Sequence, residues 1–233
     1  MSINVVERID DQVKVRHILV SVSDKRGLDE FIPSLVQLNP ELRIFSTGGT
    51  FAHLEKILGP SAGRHLTQVS DYTGQPETQG GLVKTLDFKI YLGLLTETYN
   101  AAHQADLQRT GGVAIDLVVV NLYPFQETIA KAGVSLEQAR GNIDIGGPCM
   151  IRAAAKNFIR VAPVVDPADY AAIASELKAH AGSTALALRF RLAGKAFEHT
   201  AAYDRAIADY LGRQGAAGVS GCYRYRQGMV RQD

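Results

Sequence analysis

The stretch DLVVVNLYPF (residues 116–125) decides the fold class of this 233-residue chain. It opens as a continuous apolar run rich in valine, which is typical of a strand buried on both faces of a sheet. Similar runs occur at HILVSVS (17–23) and LRIFSTGGT (42–50), and a helix-like stretch follows each of them. Strands that alternate with helices predict an α/β fold with a mostly parallel sheet and helices on both faces.

The rest of the chain extends this pattern without a clear break. RVAPVVDPADYAAIASELKAH (160–180) predicts a strand, an Asp-Pro turn and a helix, and residues 183–211 are nearly all helix-forming. There is no internal repeat and no low-complexity linker. We therefore expect one domain over residues 17–212, an N-terminal extension over 1–16, and a loosely ordered tail rich in Gly and Arg over 213–233.

The composition excludes several classes of protein. The net charge of +1 gives no general argument for nucleic acid or a membrane surface. Cys149 and Cys222 share no metal-ligand spacing, and the six histidines form neither HxxxH nor HExxH, so a metal site is not indicated. The charged N-terminus is unlike a signal peptide, and no apolar run approaches the roughly 18 residues of a membrane span. We expect a cytoplasmic protein.

Polar residues collect where the first two predicted strands end. In a parallel sheet, ligands bind beyond the carboxyl ends of the strands. Hydroxyls, a lysine and glycine N–H groups at adjacent strand ends predict a phosphate site, although the same residue types also build ordinary turns. The pattern is neither a P-loop nor GxGxxG. The residues concerned are Ser21, Ser23, Lys25, Ser46, Gly48, Gly49 and Thr50.

Two further segments supply polar groups. Asn121 and Tyr123 follow the decisive strand: an amide reads the edge of a base or carboxamide, and a phenol passes a proton. Tyr123 packed at a turn before Pro124 is an equally good interpretation. GGLVKTLDFK (80–89) contributes Lys84 and Thr85, although most lysines are simply solvated.

The segment NIDIGGPCMIRAAAKN (142–157) predicts a helix that begins just after Asp144. Glycines and a proline suit a helix start, where free N–H groups point outwards. The plainer alternative is an Asp–Gly–Gly turn that caps a core helix. Lys156 lies nine residues beyond Gly147, a rise of roughly 13 Å, which is more than a lysine reaches back along its own helix. Either the helix breaks early, or Lys156 serves a site shared across a dimer.

Taken in order, these motifs resemble a known family. SVSDKRGL, STGGT, VSDYTGQPE, VKTL, NLYPF, NIDIGGP, RAAAKN and KAFEHTAAYD follow the order of the IMP cyclohydrolase domain of the bifunctional purine-biosynthesis protein, from about His17 to Gly212. The resemblance implies a methylglyoxal-synthase-like fold. It also implies closure of the purine ring of 5-formamidoimidazole-4-carboxamide ribonucleotide to inosine monophosphate and water, with no metal or organic cofactor.

The resemblance also implies roles for individual residues. The seven residues at the first two strand ends would hold the 5′-phosphate, with Lys84 and Thr85 beside them. Asn121, Ile145 and Gly146 would bind the rest of the substrate. The residues implied to be catalytic are Lys84, Tyr123, Asp144 and Lys156. We expect Asp144 to orient or deprotonate the carboxamide, while the others supply charge or protons to the formyl oxygen.

Partners follow from the same resemblance. The family is dimeric, which favours the shared site for Lys156. The formyltransferase half of the family lies outside the matching motifs, so we expect a separate formyltransferase to supply the substrate. We expect no nucleic-acid and no membrane partner.

One loop departs from the family pattern. Where the family usually has GRVKTLHPK followed by a His-Gly-Gly segment, this chain has GLVKTLDFKIYLG. Leu82 replaces an arginine, Asp87-Phe88 replaces His-Pro, and Tyr91 and Leu92 replace His and Gly. The loss of the arginine removes a bidentate phosphate donor, and Asp87 would repel a phosphate that it faced. A divergent cyclohydrolase, a changed substrate and a weakened relative all fit this pattern.

Three alternatives remain at this stage. Methylglyoxal synthase has the same fold, but its small substrate gives NLYPF and NIDIGGP no base edge to read. A non-catalytic purine-nucleotide-binding regulatory module would keep the phosphate site but would not need Asp144 and the lysines. The tail segment CYRYRQGMVR interleaves Arg and Tyr, a composition on which single-stranded nucleic acid stacks. A short basic tail is the plainer interpretation of that segment.

Overall fold

The computed structural model describes residues 5–76 and 85–224, apart from the side chain of Ala217. Its strands are β1 (Gln12–Lys14), β2 (His17–Val22), β3 (Arg43–Ser46), β4 (Leu66–Gln68), β5 (Leu117–Asn121), β6 (Ala162–Val164) and β7 (Ser183–Ala185). Its helices are α1 (Leu28–Leu38), α2 (Gly48–Leu58), α3 (Ala62–His65), α4 (Val69–Thr73), α5 (Phe88–Leu95), α6 (Ala101–Thr110), α7 (Phe125–Ile129), α8 (Leu136–Gly141), α9 (Gly146–Lys156), α10 (Tyr170–Ala179), α11 (Leu186–Gly212) and α12 (Ala216–Cys222).

The main sheet has five parallel strands in the order β4-β3-β2-β5-β6. The apolar runs supply its three central strands, as their β-branched composition predicts. Helices α1, α2, α10 and the first turns of α11 share a core with one face of the sheet. Helix α9 packs on β5, β6 and α5. The predicted α/β fold with helices on both faces is confirmed.

Several elements begin or end elsewhere than predicted. The strand predicted over 42–50 ends at Ser46, because Gly48 already begins α2. The strand predicted within 116–125 covers Leu117–Asn121. The helix predicted over 183–211 begins at Leu186, because residues 183–185 form β7. The tail predicted to be loosely ordered contains α12.

The segment predicted as an N-terminal extension contains β1, which is one strand of a two-stranded antiparallel sheet. In this sheet, β1 pairs with β7, with Val13 opposite Thr184. The Arg189 side chain, which is 0% exposed, fixes this region by donating hydrogen bonds to five backbone carbonyls. Those carbonyls belong to Asp10, Asp11, Phe158, Ile159 and Thr184. Residues 10–14 are therefore an integral part of the packed structure.

A buried ion pair lies where the strands of the main sheet begin. One carboxylate oxygen of Asp116 accepts from the backbone N–H groups of Arg16 (2.8 Å) and His17 (2.9 Å). The other oxygen pairs with Arg160, which also donates to the Ile115 carbonyl (2.7 Å). Both side chains of the pair are less than a tenth exposed, so each charge depends on its partner.

The chain forms two compact units, whose boundaries cut across the predicted domain 17–212. One unit comprises Met1–Leu122 and Ile145–Thr200 and contains both sheets. The other comprises Tyr123–Asp144 and Ala201–Asp233. The core of the second unit is aromatic: the Phe125 ring meets Tyr210 edge to face, with centroids 5.7 Å apart.

Candidate functional site

The chain that follows β2 is held by the side chain of Asn121, at the end of β5. Its Oδ1 accepts from the backbone N–H groups of Ser23 (2.7 Å) and Asp24 (2.8 Å). Its Nδ2 donates to the Asp24 carbonyl (2.8 Å). Asn121, predicted to bind the substrate, thus directs three of its four hydrogen-bonding positions at the protein backbone.

Two predicted phosphate ligands also hold the end of β2. The Thr50 hydroxyl accepts from the Val22 N–H (3.1 Å) and donates to the Val22 carbonyl (3.0 Å). The Ser46 hydroxyl donates to the Val20 carbonyl (2.7 Å). Both residues are buried. The strand end is therefore fixed from β3 and α2 on one side and from β5 on the other.

The remaining predicted phosphate residues are accessible. Ser21, Ser23 and Lys25 are half-buried, and Gly49 is exposed, with open space where a Cβ would stand. Helix α2 begins at Gly48, and Thr47 before it makes no side-chain cap. Its first N–H groups can therefore receive an anion. The structure brings these donors to neighbouring strand ends, since β2 pairs with β3.

An ion pair that was not predicted lies at the same strand end. Arg26 donates through Nε to both carboxylate oxygens of Asp24, at 3.0 and 2.8 Å. These bonds hold the pKa of Asp24 below its usual value. The signal was present in SDKR, where an acid and a base stand two residues apart. The Arg26 charge offsets that of a carboxylate beside the predicted phosphate site.

Thr85 and Gly146 lie against each other at the start of α9. A Cβ on Gly146 would stand 2.8 Å from the Thr85 hydroxyl oxygen, so only glycine fits there without a shift. Thr85 is buried, whereas Ile145 is 58% exposed. The approach joins two residues that were predicted to bind the substrate. Lys84, predicted to be catalytic, lies outside the described residues, as does Leu82.

The predicted helix after Asp144 forms and continues without a break. Helix α9 runs over eleven residues, and the exposed Lys156 is the last of them. The helix rises about 15 Å over this length, so Lys156 lies at the end opposite to Gly146. Asn157 then ends the helix, and its amide donates to the carbonyls of Leu94 and Thr96. Of the two explanations for Lys156, the early break is wrong.

Two predicted catalytic residues, Tyr123 and Asp144, belong to the second unit. The Tyr123 side chain is 56% exposed. The backbone N–H of Asp144 donates to the Tyr203 hydroxyl (2.9 Å), which in turn donates to the Asn142 carbonyl (3.4 Å). Burial raises the pKa of Tyr203, as does the nearby Asp144 charge. Tyr203 was missed as a residue that fixes the chain around Asp144, although the motif KAFEHTAAYD contains it.

The loop that departs from the family pattern has an internal structural role. Asp87 caps α5, its carboxylate accepting from the Lys89 N–H (2.7 Å). Phe88 is 61% exposed. Burial raises the pKa of Tyr91, with a further contribution from the neighbouring Cys149. The carboxylate expected to repel a phosphate thus has a partner in its own helix.

Across residues 5–76 and 85–224, no group of three or more His, Cys, Asp or Glu side chains is arranged to hold a metal ion. None of the helices described combines the length and apolar character needed to cross a membrane.

Two family models match the chain. Residues 27–149 match the MGS-like domain, and residues 154–230 match the AICARFT/IMPCHase bienzyme. The first match covers most of the main sheet, and the second begins within α9.

The chain is also similar to individual proteins of known name and to a solved structure. The chain is 51% identical over 197 residues to the bifunctional purine biosynthesis protein PurH of Listeria welshimeri, which covers 84% of this chain. It is 48% identical over 205 residues to PurH of Acidithiobacillus ferrooxidans, which covers 88% of it. The chain spans only 37–38% of the length of these relatives. The crystal structure of ForH matches with a TM-score of 0.68 and 32% identity, covering 83% of this chain and 97% of that one.

Proposed function

The chain belongs to the family of MGS-like domains, and from that premise we propose that it is an IMP cyclohydrolase of purine biosynthesis. The relatives that match most of its length are named bifunctional purine biosynthesis proteins. Because the chain spans a minor part of those proteins, the activity proposed is the cyclisation alone. A separate formyltransferase would supply the formylated substrate. We also propose that the enzyme works in the cytoplasm.

One observation carries this proposal: two adjacent strand ends present the donors that a phosphate monoester requires. Ser21 is one of the last two residues of β2, Ser23 and Lys25 follow that strand, and the uncapped start of α2 follows β3. The β2 end is fixed before any ligand arrives, because Thr50 and Asn121 hold its backbone. A fixed set of donors loses little conformational freedom when an anion binds. This arrangement supports a nucleotide monophosphate as the ligand.

The proposed reaction is intramolecular. The carboxamide nitrogen attacks the formyl carbon, and a new carbon–nitrogen bond forms while the formyl oxygen becomes a hydroxyl. That hydroxyl then leaves as water, and the former formamido nitrogen gives up its proton to complete the aromatic ring. Because both reacting groups belong to one molecule, the enzyme has mainly to orient them and move protons. Inosine monophosphate and water are the only products.

We assign the proton transfers to four residues. Asp144 would orient the carboxamide or take its proton, since a carboxylate is a hydrogen-bond acceptor at neutral pH. Lys84, Tyr123 and Lys156 would supply charge or a proton to the formyl oxygen. Tyr203 supports the role of Asp144, because its hydroxyl fixes the backbone at that residue.

Lys156 supports a homodimer. It stands at the far end of an unbroken α9, so it cannot reach the start of its own helix. We propose that it completes the site of a second copy. Each site would then need two chains, and activity would require assembly.

The first test is turnover of the formamido ribonucleotide, followed by ultraviolet absorbance. We expect the parent protein to form inosine monophosphate, and Asp144→Asn to be slower by roughly 10²–10⁴-fold, as for loss of a general base. Asp209→Asn is the matched control, because Asp209 is an exposed carboxylate of the same unit. Nucleotide binding by the parent without turnover would contradict the proposal and favour a regulatory module.

The same assay tests the shared site. Lys156→Ala and Asp144→Asn should each be inactive alone, whereas a mixture that exchanges subunits should regain about a quarter of the parent activity. The regain arises because half of the dimers are mixed and each mixed dimer holds one intact site. No regain after verified exchange would place both residues in one chain's site.

A further inference from the structure

We propose that Asn121 is a positioning residue, which holds the Ser23–Lys25 loop in the shape that binds a phosphate group, and that it does not read the base. The proposal rests on the proposed function for the identity of the ligand. It departs from the role that the family resemblance implies for this position.

The geometry leaves the Asn121 amide little capacity for a ligand. An asparagine side chain has two acceptor positions and two donor hydrogens. Both acceptor positions are filled by the N–H groups of Ser23 and Asp24, and one hydrogen goes to the Asp24 carbonyl. All three bonds are 2.7–2.8 Å long. One donor hydrogen remains, which is less than recognition of a carboxamide edge requires.

The loop has no other support of this kind from β5. The parallel ladder between β2 and β5 ends at the pair Val22 and Asn121. Beyond it, the Ser23 and Asp24 N–H groups donate to the Asn121 side chain instead of to a strand partner. The amide therefore continues the strand pairing by two residues. Those residues carry the Ser23 hydroxyl and lead directly into Lys25.

The two roles predict different responses to truncated ligands. Inosine monophosphate and ribose 5-phosphate share the phosphate and the sugar, but only the former carries a base. If Asn121 shapes the Ser23–Lys25 loop, its removal weakens the binding of both ligands by the same factor. If Asn121 binds the base, its removal weakens the binding of inosine monophosphate alone. The ratio of the two dissociation constants separates these roles.

The experiment measures both dissociation constants by calorimetry for the parent and for Asn121→Ala. We expect each dissociation constant to rise by about tenfold, because the variant loses the hydrogen bonds that order the loop before the ligand binds. The ratio of the two constants should stay unchanged. Asn121→Asp is the conservative variant. It keeps an acceptor for both N–H groups but places an oxygen against the Asp24 carbonyl, so it should regain only part of the affinity.

Asn39→Ala is the matched control. Its amide makes a comparable pair of backbone bonds, from Nδ2 to the Val15 carbonyl (2.9 Å) and from the Glu41 N–H to Oδ1 (3.1 Å). Those bonds lie at the other edge of the sheet, before β3 begins. This variant should lose stability without any change in either dissociation constant. A change equal to that of Asn121→Ala would attribute the effect to general destabilisation and overturn the proposal.

A second readout is independent of ligand and of activity. Amide hydrogen exchange at Ser23 and Asp24 should be at least tenfold faster in Asn121→Ala than in the parent, because both N–H groups lose their acceptor. Unchanged exchange would overturn the proposal, as would weakening of inosine monophosphate alone or failure of the parent to bind either ligand. Binding of both ligands without turnover would contradict the cyclohydrolase and leave the positioning role supported.

Discussion

At the edge where its strands begin, the main sheet buries full charges, whereas at the edge where they end, neutral side chains hold the backbone. Asp116 and Arg160 pair at the first edge. Thr50 and Asn121 hold the second. A buried charge is costly unless it is fully paired, so the first edge has one stable arrangement. Because the Thr50 and Asn121 side chains carry no charge, they add little to the electrostatic potential that a bound ligand meets at this edge. The difference teaches that one sheet can separate its structural end from its binding end by the kind of polar group it buries.

The largest effect should come from Arg189, a buried charge that donates to the Ile159 carbonyl, next to Arg160 of the charged edge. Arg189→Met would remove a buried guanidinium and leave five backbone carbonyls, among them that of the buried Thr184, without this donor, and we expect a loss of about 3–5 kcal/mol in the free energy of unfolding. Urea denaturation measures it. Arg191→Met is the control, because Arg191 lies on the same helix and its side chain is 56% exposed. A loss below 1 kcal/mol for Arg189→Met would mean that water replaces the guanidinium, and the comparison would fail.

The neutral edge should give a smaller loss of stability but a change in binding. Thr50→Val keeps the shape of the side chain and removes both bonds to Val22. We expect a loss of about 1–2 kcal/mol, together with weaker binding of inosine monophosphate. Thr67→Val, on β4, is the control for loss of a threonine hydroxyl away from the end of β2. If Thr50→Val lost stability but bound the nucleotide as tightly as the parent, the bonds of Thr50 to Val22 would have a purely structural role.

The smallest effect concerns pH at the charged edge. Burial lowers the pKa of His17 from its usual value of 6.5, although the Asp116 charge opposes this. The folded protein therefore favours the neutral ring, and below about pH 6.5 the unfolded chain binds more protons. The free energy of unfolding should fall as the pH decreases from about 7 to about 5. His17→Gln should make that fall shallower, as urea denaturation at each pH would measure. His180→Gln, at an exposed position, should not; equal slopes in both variants would contradict the assignment.

Much of the fold was predictable because the decisive signals are local. The apolar runs placed β2, β3 and β5, and the glycines and Pro148 placed the start of α9. The small sheet was not predictable. Strands β1 and β7 have three residues each, and their pairing depends on partners about 170 positions apart. No periodicity in a three-residue segment carries that information.

The candidate site was also predictable only in part. Residue type and strand order were enough to expect polar groups at the ends of β2, β3 and β5. They could not reveal which partner each group would find. Ser46, Thr50 and Asn121 bond to backbone atoms of another strand or loop, and those contacts exist only once the sheet is assembled. The Arg26–Asp24 pair, by contrast, is local and could have been expected.

The bonds made by Arg189 also set an order of events during synthesis. Two of its carbonyl acceptors, at Asp10 and Asp11, precede it by 179 and 178 residues. At roughly 5–20 residues per second, a ribosome would make these acceptors about 10–35 s before their donor. During that interval the first segment has neither Arg189 nor β7 to pair with. Residues 10–11 therefore stay without this donor until Arg189 has been made, and chaperones have access to that segment during the interval.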